Sequence, residues 1–201
     1  RKNLNGKFDS LGKMLDVFGS QQIRNQATLG GNLGSASPIG DTLPVLMALQ
    51  AEIRIESLDN HRDEKLEDYL IGYRKTSLLP EEIITQVLIP ADENRIFWSH
   101  KVSKRRDLDI ATVSAGFALK LSKENKVQTI VLAFGGMAAI THRAYQTEEF
   151  LLGKLWNRPL IEEAMEILEE EFRPISDARA EAHGRKLLAK NLLLKFYLEV
   201  S

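Results

Sequence analysis

One pair of segments limits the fold of this chain more than any other. Apolar side chains alternate with smaller or polar ones at Val113, Ala115, Phe117, Leu119 and Leu121, and VQTIVLAF resumes the pattern after the polar stretch SKENK. Alternation with a period of two is typical of strands, so residues 110–134 are predicted to form an antiparallel hairpin. Helical patterns follow this hairpin instead of alternating with strands, which indicates an α+β fold.

Three helices are predicted after the hairpin. The second begins at Pro159 and carries an apolar stripe, with glutamates mostly on the opposite face. The stripe consists of Leu160, Ile161, Ala164, Ile167, Leu168 and Phe172. The third helix is expected to begin after Pro174, with Ser176 or Asp177 as its N-cap, and to extend to about Glu199.

The first half of the chain is less regular. A short amphipathic helix is predicted at about residues 9–18, and an apolar helix is expected after a cap at Asp41 or Thr42. AEIRIES alternates as a half-buried strand does, LDNHRDEK is predicted to be a polar turn, and EIITQVLIP is predicted to be a second strand that ends at Pro90. The stretch ADEN, residues 91–94, separates two apolar segments and is our predicted domain boundary.

Composition excludes several classes of protein. The chain has 201 residues with 27 basic and 28 acidic side chains, so no overall charge favours nucleic acid or an anionic membrane surface. It contains no cysteine, which excludes a disulfide framework, a thiol nucleophile and a thiolate-held metal cluster within these residues. Its apolar runs are far shorter than the roughly 20 residues that span a bilayer, and the N-terminus lacks a signal-peptide core. We therefore expect a soluble domain, compatible with a cytoplasmic location.

Catalysis by side chains alone is not indicated. The four histidines are scattered, and none is spaced as a general base or as one of a pair of metal ligands. The glutamates of residues 162–171 lie along a predicted helix face, where they are expected to meet water and not a metal ion.

A glycine-rich segment, Ala27 to Pro44, is the strongest candidate for a binding site. Consecutive Gly30 and Gly31 lack Cβ atoms, so backbone amides can approach a ligand directly. Short polar side chains lie around them at Thr28, Asn32, Ser35, Ser37 and Asp41. The segment contains neither a P-loop nor a dinucleotide-binding glycine motif, and its pattern alone leaves a structural turn and a ligand cradle equally open.

Two further segments also leave alternatives open. A basic cluster within six residues is either a charged edge strand or a rim for a phosphate or carboxylate. Its members are Lys101, Lys104, Arg105 and Arg106. Gly135 and Gly136 end a predicted strand, where they permit close approach of a ligand or of another backbone, or form a bulge.

Together, these segments resemble the flavin-binding part of the xanthine dehydrogenase family of molybdenum hydroxylases. The resemblance rests on FGSQQIRNQATLGGNLGSASPIGDTLPVLMALQAEI, GYRKTSLLPEEII, KVSKRRDLDIATVSAGFAL, FGGMA and RPISDARAEAHGRKLLAKNLLLKFYLE, in that order. It covers nearly the whole chain and is nearest to the small subunit of the bacterial members.

The resemblance implies two domains and a set of cofactors. Residues 1–92 would be the second part of a vanillyl-alcohol-oxidase-like (PCMH-type) FAD-binding domain. Residues 95–201 would be a CO dehydrogenase flavoprotein C-terminal domain, an antiparallel sheet with three helices. In this family electrons pass from a molybdenum centre through two [2Fe-2S] clusters to FAD, which reduces NAD during oxidation of hypoxanthine or xanthine. The implied partners are a molybdopterin-binding large subunit, in a hetero-oligomer, and NAD as electron acceptor.

The resemblance also assigns roles to individual residues. Phe18 would lie against the isoalloxazine, Gly30 and Gly31 would allow close backbone approach, and Lys101 would lie near the polar edge of the ring. Polar residues would bond the flavin or its ribityl and phosphate groups, namely Thr28, Asn32, Ser35, Ser37 and Asp41. Ile84 would contact the flavin by packing or through its backbone.

The remaining implications concern the acceptor side and catalysis. The loop from Lys104 to Asp109 would flank the flavin where a nicotinamide approaches. No catalytic residue and no metal ligand is implied in this chain, because the flavin itself carries the redox chemistry.

The chain departs from the family pattern in two ways. The earlier FAD subdomain, with its glycine-containing pyrophosphate segment, and the iron–sulfur domain before it are absent from the sequence. We therefore expect a fragment of a larger subunit that alone is inactive and binds FAD weakly or not at all. Leu108 occupies a position where relatives often carry an acidic residue.

Two alternatives remain open. The chain is either the flavin part of a related aldehyde, carbon monoxide or aromatic-thioester oxidoreductase, or a non-catalytic domain that docks other subunits without bound FAD.

Overall fold

The computed structural model describes residues 8–91, 94–105 and 109–201, and within these ranges the chain mixes helices and antiparallel strands. The helices are α1 (Asp9–Asp16), α2 (Gln21–Gln26), α3 (Leu29–Ser35), α4 (Thr42–Ala48), α5 (Leu66–Tyr69), α6 (Tyr145–Leu151), α7 (Arg158–Glu171) and α8 (Ala182–Val200). The strands are β1 (Glu52–Glu56), β2 (His61–Lys65), β3 (Leu70–Gly72), β4 (Lys75–Thr76), β5 (Ile83–Leu88), β6 (Ile96–Val102), β7 (Val113–Leu121), β8 (Val127–Gly135) and β9 (His142–Arg143). The predicted α+β class is confirmed.

A four-stranded sheet, ordered β6-β7-β8-β9, forms the centre of the second half. β7 and β8 pair antiparallel, with Phe117 opposite Leu132, so the predicted hairpin is present. Helices α7 and α8 pack on one face, where Phe117, Phe134 and Phe196 meet in a buried cluster. Helix α4 covers the other face. Coverage of both faces explains why β7 is buried along most of its length.

The first half has its own core around α1, α3, α4 and β1, including Leu33, Leu46 and Ile53. A three-stranded sheet, ordered β2-β1-β5, lies beside it, and β3 pairs with β4 in a small second sheet. The two halves meet closely at α4, because a Cβ atom added to Gly116 in β7 would lie 2.2 Å from the Pro44 carbonyl oxygen. Strand β7 can approach α4 this closely only with glycine at that position.

The prediction of a polar turn over LDNHRDEK was wrong for its second half. Residues His61–Lys65 form strand β2, which pairs with β1 and places Asp63 opposite Arg54. The two side chains form an ion pair at 2.7 Å. This is an edge strand without a buried face, so it lacks the apolar alternation by which strands are recognised.

The glycine-rich segment is only partly a loop. Leu29–Ser35 form helix α3, which begins at Thr28, whose Oγ1 accepts a hydrogen bond from the Gly31 amide at 2.9 Å. Capping and the burial of Leu33 in the core favour the helix despite its three glycines. The side chain of Asp41 does not cap α4 as predicted, because it bonds Lys101 instead.

The third C-terminal helix begins later than predicted, at Ala182 instead of shortly after Pro174. Asp177 accepts hydrogen bonds from the amides of Arg179 and Ala180, which forms a turn before the helix. Ser176 Oγ accepts from the Ala182 amide at 2.8 Å. The residues predicted to cap the helix therefore hold the preceding turn. Among the described helices, none is long and apolar enough to cross a membrane.

Candidate functional site

A cleft of about 860 Å³ opens between α1, α2, α3 and β5. Its lining combines apolar side chains with a few polar groups, including Phe18, Thr28, Leu29, Asn32, Val87 and Ile89. Size and composition are typical of a site that binds a cofactor. Three residues predicted from the sequence, Phe18, Thr28 and Asn32, therefore lie around one cleft.

The N-terminus of α3 forms part of this cleft. The first amides of a helix have no acceptor within it, and in α3 these belong to Leu29 and Gly30. A Cβ atom at Gly30 would meet no described atom within 4 Å, whereas at Gly31 it would lie 3.0 Å from Thr28 Oγ1. Gly30 therefore keeps open space beside the backbone, and Gly31 is needed for the cap.

Asn32 and Ser35 make contacts within the protein. Asn32 Oδ1 accepts a hydrogen bond from Thr42 Oγ1 at 2.5 Å, which joins α3 to the start of α4. Ser35 Oγ donates to the Asn32 carbonyl at 2.9 Å at the end of α3. The amide nitrogen of Asn32 remains the group of this side chain that can face a ligand in the cleft.

A buried ion pair lies next to the cleft. Lys101 Nζ donates to Asp41 Oδ2 at 2.7 Å and to the Val17 carbonyl at 3.1 Å, and the Lys101 and Asp41 side chains are 5% and 7% exposed. Burial raises the pKa of Asp41 above its usual value, and Lys101 offsets part of this rise. The second carboxylate oxygen, Asp41 Oδ1, is buried without a hydrogen-bond partner among the described residues. A buried acceptor without a partner is a costly arrangement that a ligand donor would relieve.

Two predicted residues lie elsewhere. Ile84 is in β5, opposite Ile55, and packs half-buried against the first core without lining the cleft. Ser37 lines a second cleft, to which Pro38 and Ile39 of the segment that joins α3 to α4 also belong.

This second cleft, of about 480 Å³, was not foreseen from the sequence. Four arginines line it, namely Arg74, Arg173, Arg179 and Arg185, together with Tyr73, Ser37, Pro38 and Ile39. The arginines come from separate segments, so no spacing in the sequence could indicate that they meet. A cleft with arginines and an exposed tyrosine suits an anionic ligand with a planar ring.

The described members of the basic cluster, Lys101, Lys104 and Arg105, do not form one surface. Lys101 is buried against Asp41, while Lys104 Nζ donates to the Ala178 carbonyl at 2.9 Å and the Arg105 amide donates to Asp109 at 3.0 Å. Arg106 and Leu108 lie outside the described residues, so the predictions for them stay predictions.

Gly136 shows why the FGGMA stretch carries paired glycines. Its amide donates to the Pro38 carbonyl at 2.7 Å, and its φ is +83°. The close approach is therefore between two backbones, which was one of the alternatives that the sequence left open.

Comparisons with known proteins agree with this architecture. The FAD binding domain in molybdopterin dehydrogenase matches residues 1–92, and the CO dehydrogenase flavoprotein C-terminal domain matches residues 98–200. The chain therefore belongs to the flavoprotein family of the molybdopterin dehydrogenases.

Curated relatives include xanthine dehydrogenases. That of Blastobotrys adeninivorans is 35% identical over 206 residues, which covers 98% of this chain and 15% of the relative. That of Emericella nidulans is 38% identical over 197 residues, which covers 96% of this chain and 14% of the relative. The chain thus spans about 15% of the length of these curated relatives.

Solved structures share the fold. Quinoline 2-oxidoreductase from Pseudomonas putida 86 is 28% identical with a TM-score of 0.85, over 98% of this chain and 68% of that one. Carbon monoxide dehydrogenase from Hydrogenophaga pseudoflava has a TM-score of 0.90 at 20% identity, over 97% of this chain and 68% of that one, and this likeness concerns the fold alone.

Proposed function

We propose that this chain forms one wall of the FAD site of a xanthine dehydrogenase-like molybdenum hydroxylase. The observation that carries the proposal is the cleft lined by Phe18, Thr28 and Asn32, beside a buried Asp41 oxygen that has no hydrogen-bond partner among the described residues. The first backbone amides of α3 are hydrogen-bond donors of the kind that suits the phosphates of a dinucleotide, and the open space at Gly30 gives a ligand access to them.

Different residues in and beside the cleft would contact different parts of the cofactor. Thr28, Gly30 and Asn32 would bind its polar groups, while Phe18 and Leu29 would keep water from its apolar surface. Asp41, fixed by Lys101, would accept a hydrogen bond from the cofactor and so orient it. The chemistry that FAD supplies when bound is transfer of electrons from one-electron carriers to a two-electron acceptor. Ser35, Ser37 and Ile84 remain proposed contacts.

The assembly around the chain belongs to the same proposal. Residues 1–92 would complete a PCMH-type FAD domain with a preceding subdomain, and residues 95–201 would be the C-terminal domain. The [2Fe-2S] clusters and the molybdopterin would lie elsewhere in the enzyme, the latter on a large subunit of a cytoplasmic hetero-oligomer. Within the family, the small subunit of the bacterial enzymes is the arrangement that we favour.

NAD is the electron acceptor in this proposal. The arginine-lined cleft supports it, because Arg74, Arg173 and Arg179 suit a pyrophosphate and Tyr73 suits an aromatic base. Ser37, Pro38 and Ile39 line this cleft and Thr42, four residues after Pro38, lines the cleft proposed for the flavin, so an acceptor and the flavin could approach each other at this segment.

Two measurements on the complete enzyme test the proposal. Purified enzyme should show the absorbance bands of oxidised flavin. Hypoxanthine or xanthine should bleach these bands, and NAD should then be reduced as the oxidised flavin returns. An enzyme without flavin bands, even after addition of FAD, would contradict the flavin assignment and support the alternative of a non-catalytic docking domain. Turnover of an aldehyde, carbon monoxide, an aromatic thioester or quinoline but not of purines would retain the flavin site and reject the xanthine substrate.

A further inference from the structure

Arg185 is an arginine of α8 that is almost fully buried, at 2% exposure. Its Nη2 donates to Asp177 Oδ1 at 2.8 Å, and its Nη1 donates to the carbonyl oxygens of Gly136, at 3.2 Å, and of Thr112. The two carbonyls flank the hairpin: Thr112 precedes β7 and Gly136 follows β8. One guanidinium thus ties the start of the last helix to both open ends of the hairpin.

The contact continues into the segment that joins α3 to α4. Gly136, whose carbonyl Arg185 holds, donates its amide to the Pro38 carbonyl at 2.7 Å. The turn packs closely against its neighbours, because a Cβ atom at Gly136 would lie 2.4 Å from the Thr112 oxygen and 3.0 Å from Arg185 Nη1. A path of direct contacts therefore leads from Asp177 through Arg185 and Gly136 to Pro38.

The charge of Arg185 is balanced in place. Burial pushes the pKa of Asp177 upward, but the amides of Arg179 and Ala180 and the Arg185 guanidinium outweigh it and lower the pKa to about 2. Asp177 is therefore ionised at neutral pH. Hydrogen bonds from a charged donor to carbonyls are strong, and a buried charge costs stability unless it is paired. The cost of burying the Arg185 guanidinium points to a functional role for this residue.

The segment at the end of this path carries residues that line the arginine-lined cleft and one residue that lies next to the flavin cleft. Ser37 and Pro38 line the arginine-lined cleft, and Asp41, three residues beyond Pro38, forms the buried pair with Lys101. A shift of Pro38 would directly move one wall of the arginine-lined cleft, called here the acceptor cleft because we propose that NAD binds in it. Asp41 is held separately, by its ion pair with Lys101.

We propose that Arg185 is a positioning residue: through Gly136 and Pro38 it fixes the Ser37–Asp41 segment and with it the shape of the acceptor cleft. The proposal rests on the proposed function in so far as that cleft takes NAD. Arg185 does not touch the flavin cleft, so its loss affects acceptor binding more than flavin reduction.

The test compares Arg185→Lys with the wild-type complete enzyme, with Arg158→Lys as the control. Lysine keeps the charge but cannot reach all three acceptors. Arg158 is an exposed arginine of α7 whose partner is Glu162, remote from both clefts. In Arg185→Lys we expect unchanged flavin content, flavin reduction by substrate within about twofold of wild type, and a KM for NAD raised about tenfold. Arg158→Lys should match wild type in all three.

A second readout does not depend on the cofactors. Amide hydrogen exchange of the peptide that covers residues 37–44 should be faster by about fivefold or more in Arg185→Lys and unchanged in Arg158→Lys. Unaltered exchange, or an unaltered KM for NAD in enzyme that is merely less heat-stable, overturns the positioning role. If Arg185→Lys does not fold, Asp177→Asn replaces it in the test, because it keeps the hydrogen-bonding turn but removes the countercharge. It should also raise the KM for NAD and accelerate hydrogen exchange in residues 37–44. Wild-type enzyme that lacks flavin or does not reduce NAD defeats the proposed function, while the exchange comparison still decides whether Arg185 fixes the segment.

Discussion

At the scale of single residues, two opposite charges lie side by side next to the flavin cleft. Asp41 and Lys101 are both more than nine-tenths buried, and the carboxylate has only one of its oxygens bonded. Removing one partner of a buried pair leaves the other charge without compensation, which commonly costs about 3–5 kcal/mol. Substitution of one partner should therefore have a large, measurable effect on stability, even though the intact pair is weak evidence for a net stabilising contribution.

Replacing Lys101 by methionine should destabilise the protein in a pH-dependent manner. The folded state already raises the pKa of Asp41 above 3.8, and the loss of Lys101 raises it further. A raised pKa means that the contribution of this group is favourable below about pH 3.8 and is lost as the pH rises through the folded value. Denaturant melts between pH 4 and pH 8 should therefore show a deficit for Lys101→Met that grows with pH.

The exposed Lys123→Met is the matched control, and it should show no such trend. The double variant Asp41→Asn with Lys101→Met should recover a large part of the stability, because no buried charge remains. A deficit of Lys101→Met that is constant with pH would argue against an ionised Asp41.

Gly30→Ala should separate stability from cofactor binding. Alanine is favoured over glycine within a helix by up to about 1 kcal/mol, and a Cβ atom at Gly30 meets no described neighbour. The fold should therefore be unharmed or slightly stabilised, whereas FAD affinity should fall about tenfold or more if the backbone there touches the cofactor. Titration with FAD, followed by flavin fluorescence, measures the effect.

Gly34→Ala is the control for this change. Gly34 also lies in α3 and also has open space around it, but Gly30 directly follows Thr28 and Leu29, which line the cleft, whereas Gly34 lies near the other end of the helix. Equal FAD affinities for the two alanine variants would place the cofactor away from the start of α3.

At the scale of secondary-structure elements, the sequence predicted those whose pattern matches their burial. The hairpin β7–β8 and the strands β1 and β5 alternate in sequence, and the predicted strands are present. Strand β2 was missed because both of its faces are polar, and it is held by pairing with β1 and by side-chain contacts such as that of Arg62 with Glu82. Helix α3 was missed because glycines conceal a helix that a threonine cap and a buried leucine determine. Local patterns record burial, and they miss elements that depend on pairing or capping.

The contact between α4 and β7 is an element-scale feature that tolerates no enlargement. A Cβ atom at Gly116 would lie 2.2 Å from the Pro44 oxygen and 2.5 Å from the Val45 nitrogen, both of which are backbone atoms. Gly116→Ala should therefore push α4 off the sheet and cost about 1–3 kcal/mol or more in unfolding free energy. Gly12→Ala, in α1 with open space around it, should be neutral or stabilising in the same denaturant melts. A Gly116→Ala variant as stable as wild type would mean that α4 does not pack this closely on β7.

At the scale of the whole molecule, the two halves meet in the ion pair next to the flavin cleft and in the lining of the arginine-lined cleft. Asp41 comes from the first half and Lys101 from the second, and Tyr73 faces the same cleft as Arg173. The sequence pattern singled out Thr28 and Asn32 because they are close together in the chain, and it assigned Phe18 and Lys101 to a flavin site only through the resemblance to a family. It could not reveal the arginine-lined cleft, because packing of α4 on the sheet brings those residues together from segments far apart.

A network around Arg143 also joins the halves and provides a test of how tightly they are coupled. Arg143, in β9, pairs with Glu148 at 2.7 Å and with Glu67 of α5 at 3.3 Å, and Tyr145 Oη donates to Glu67 at 2.7 Å. Glu148 also accepts from the Leu132 amide at 2.7 Å. Burial raises the pKa of Glu148, and Arg143 and that amide offset part of the rise. Arg143 therefore serves as the countercharge of a buried carboxylate and as the link to α5.

Arg143→Met should increase local opening in both halves of the chain, and the increase should be larger at higher pH. Without its partner, Glu148 has a pKa still further above 4.5, so its contribution to stability is lost as the pH rises beyond that value. Hydrogen exchange should accelerate in the peptides of β9 and also in those of α5, more at pH 8 than at pH 5 after correction for intrinsic rates. Arg158→Met, which breaks an exposed pair with Glu162, should leave both peptides unchanged, since such pairs contribute about 0–1 kcal/mol. Acceleration confined to β9 would show that the ion pair with Glu67 is a surface contact and that the halves are held together by α4 and the sheet alone.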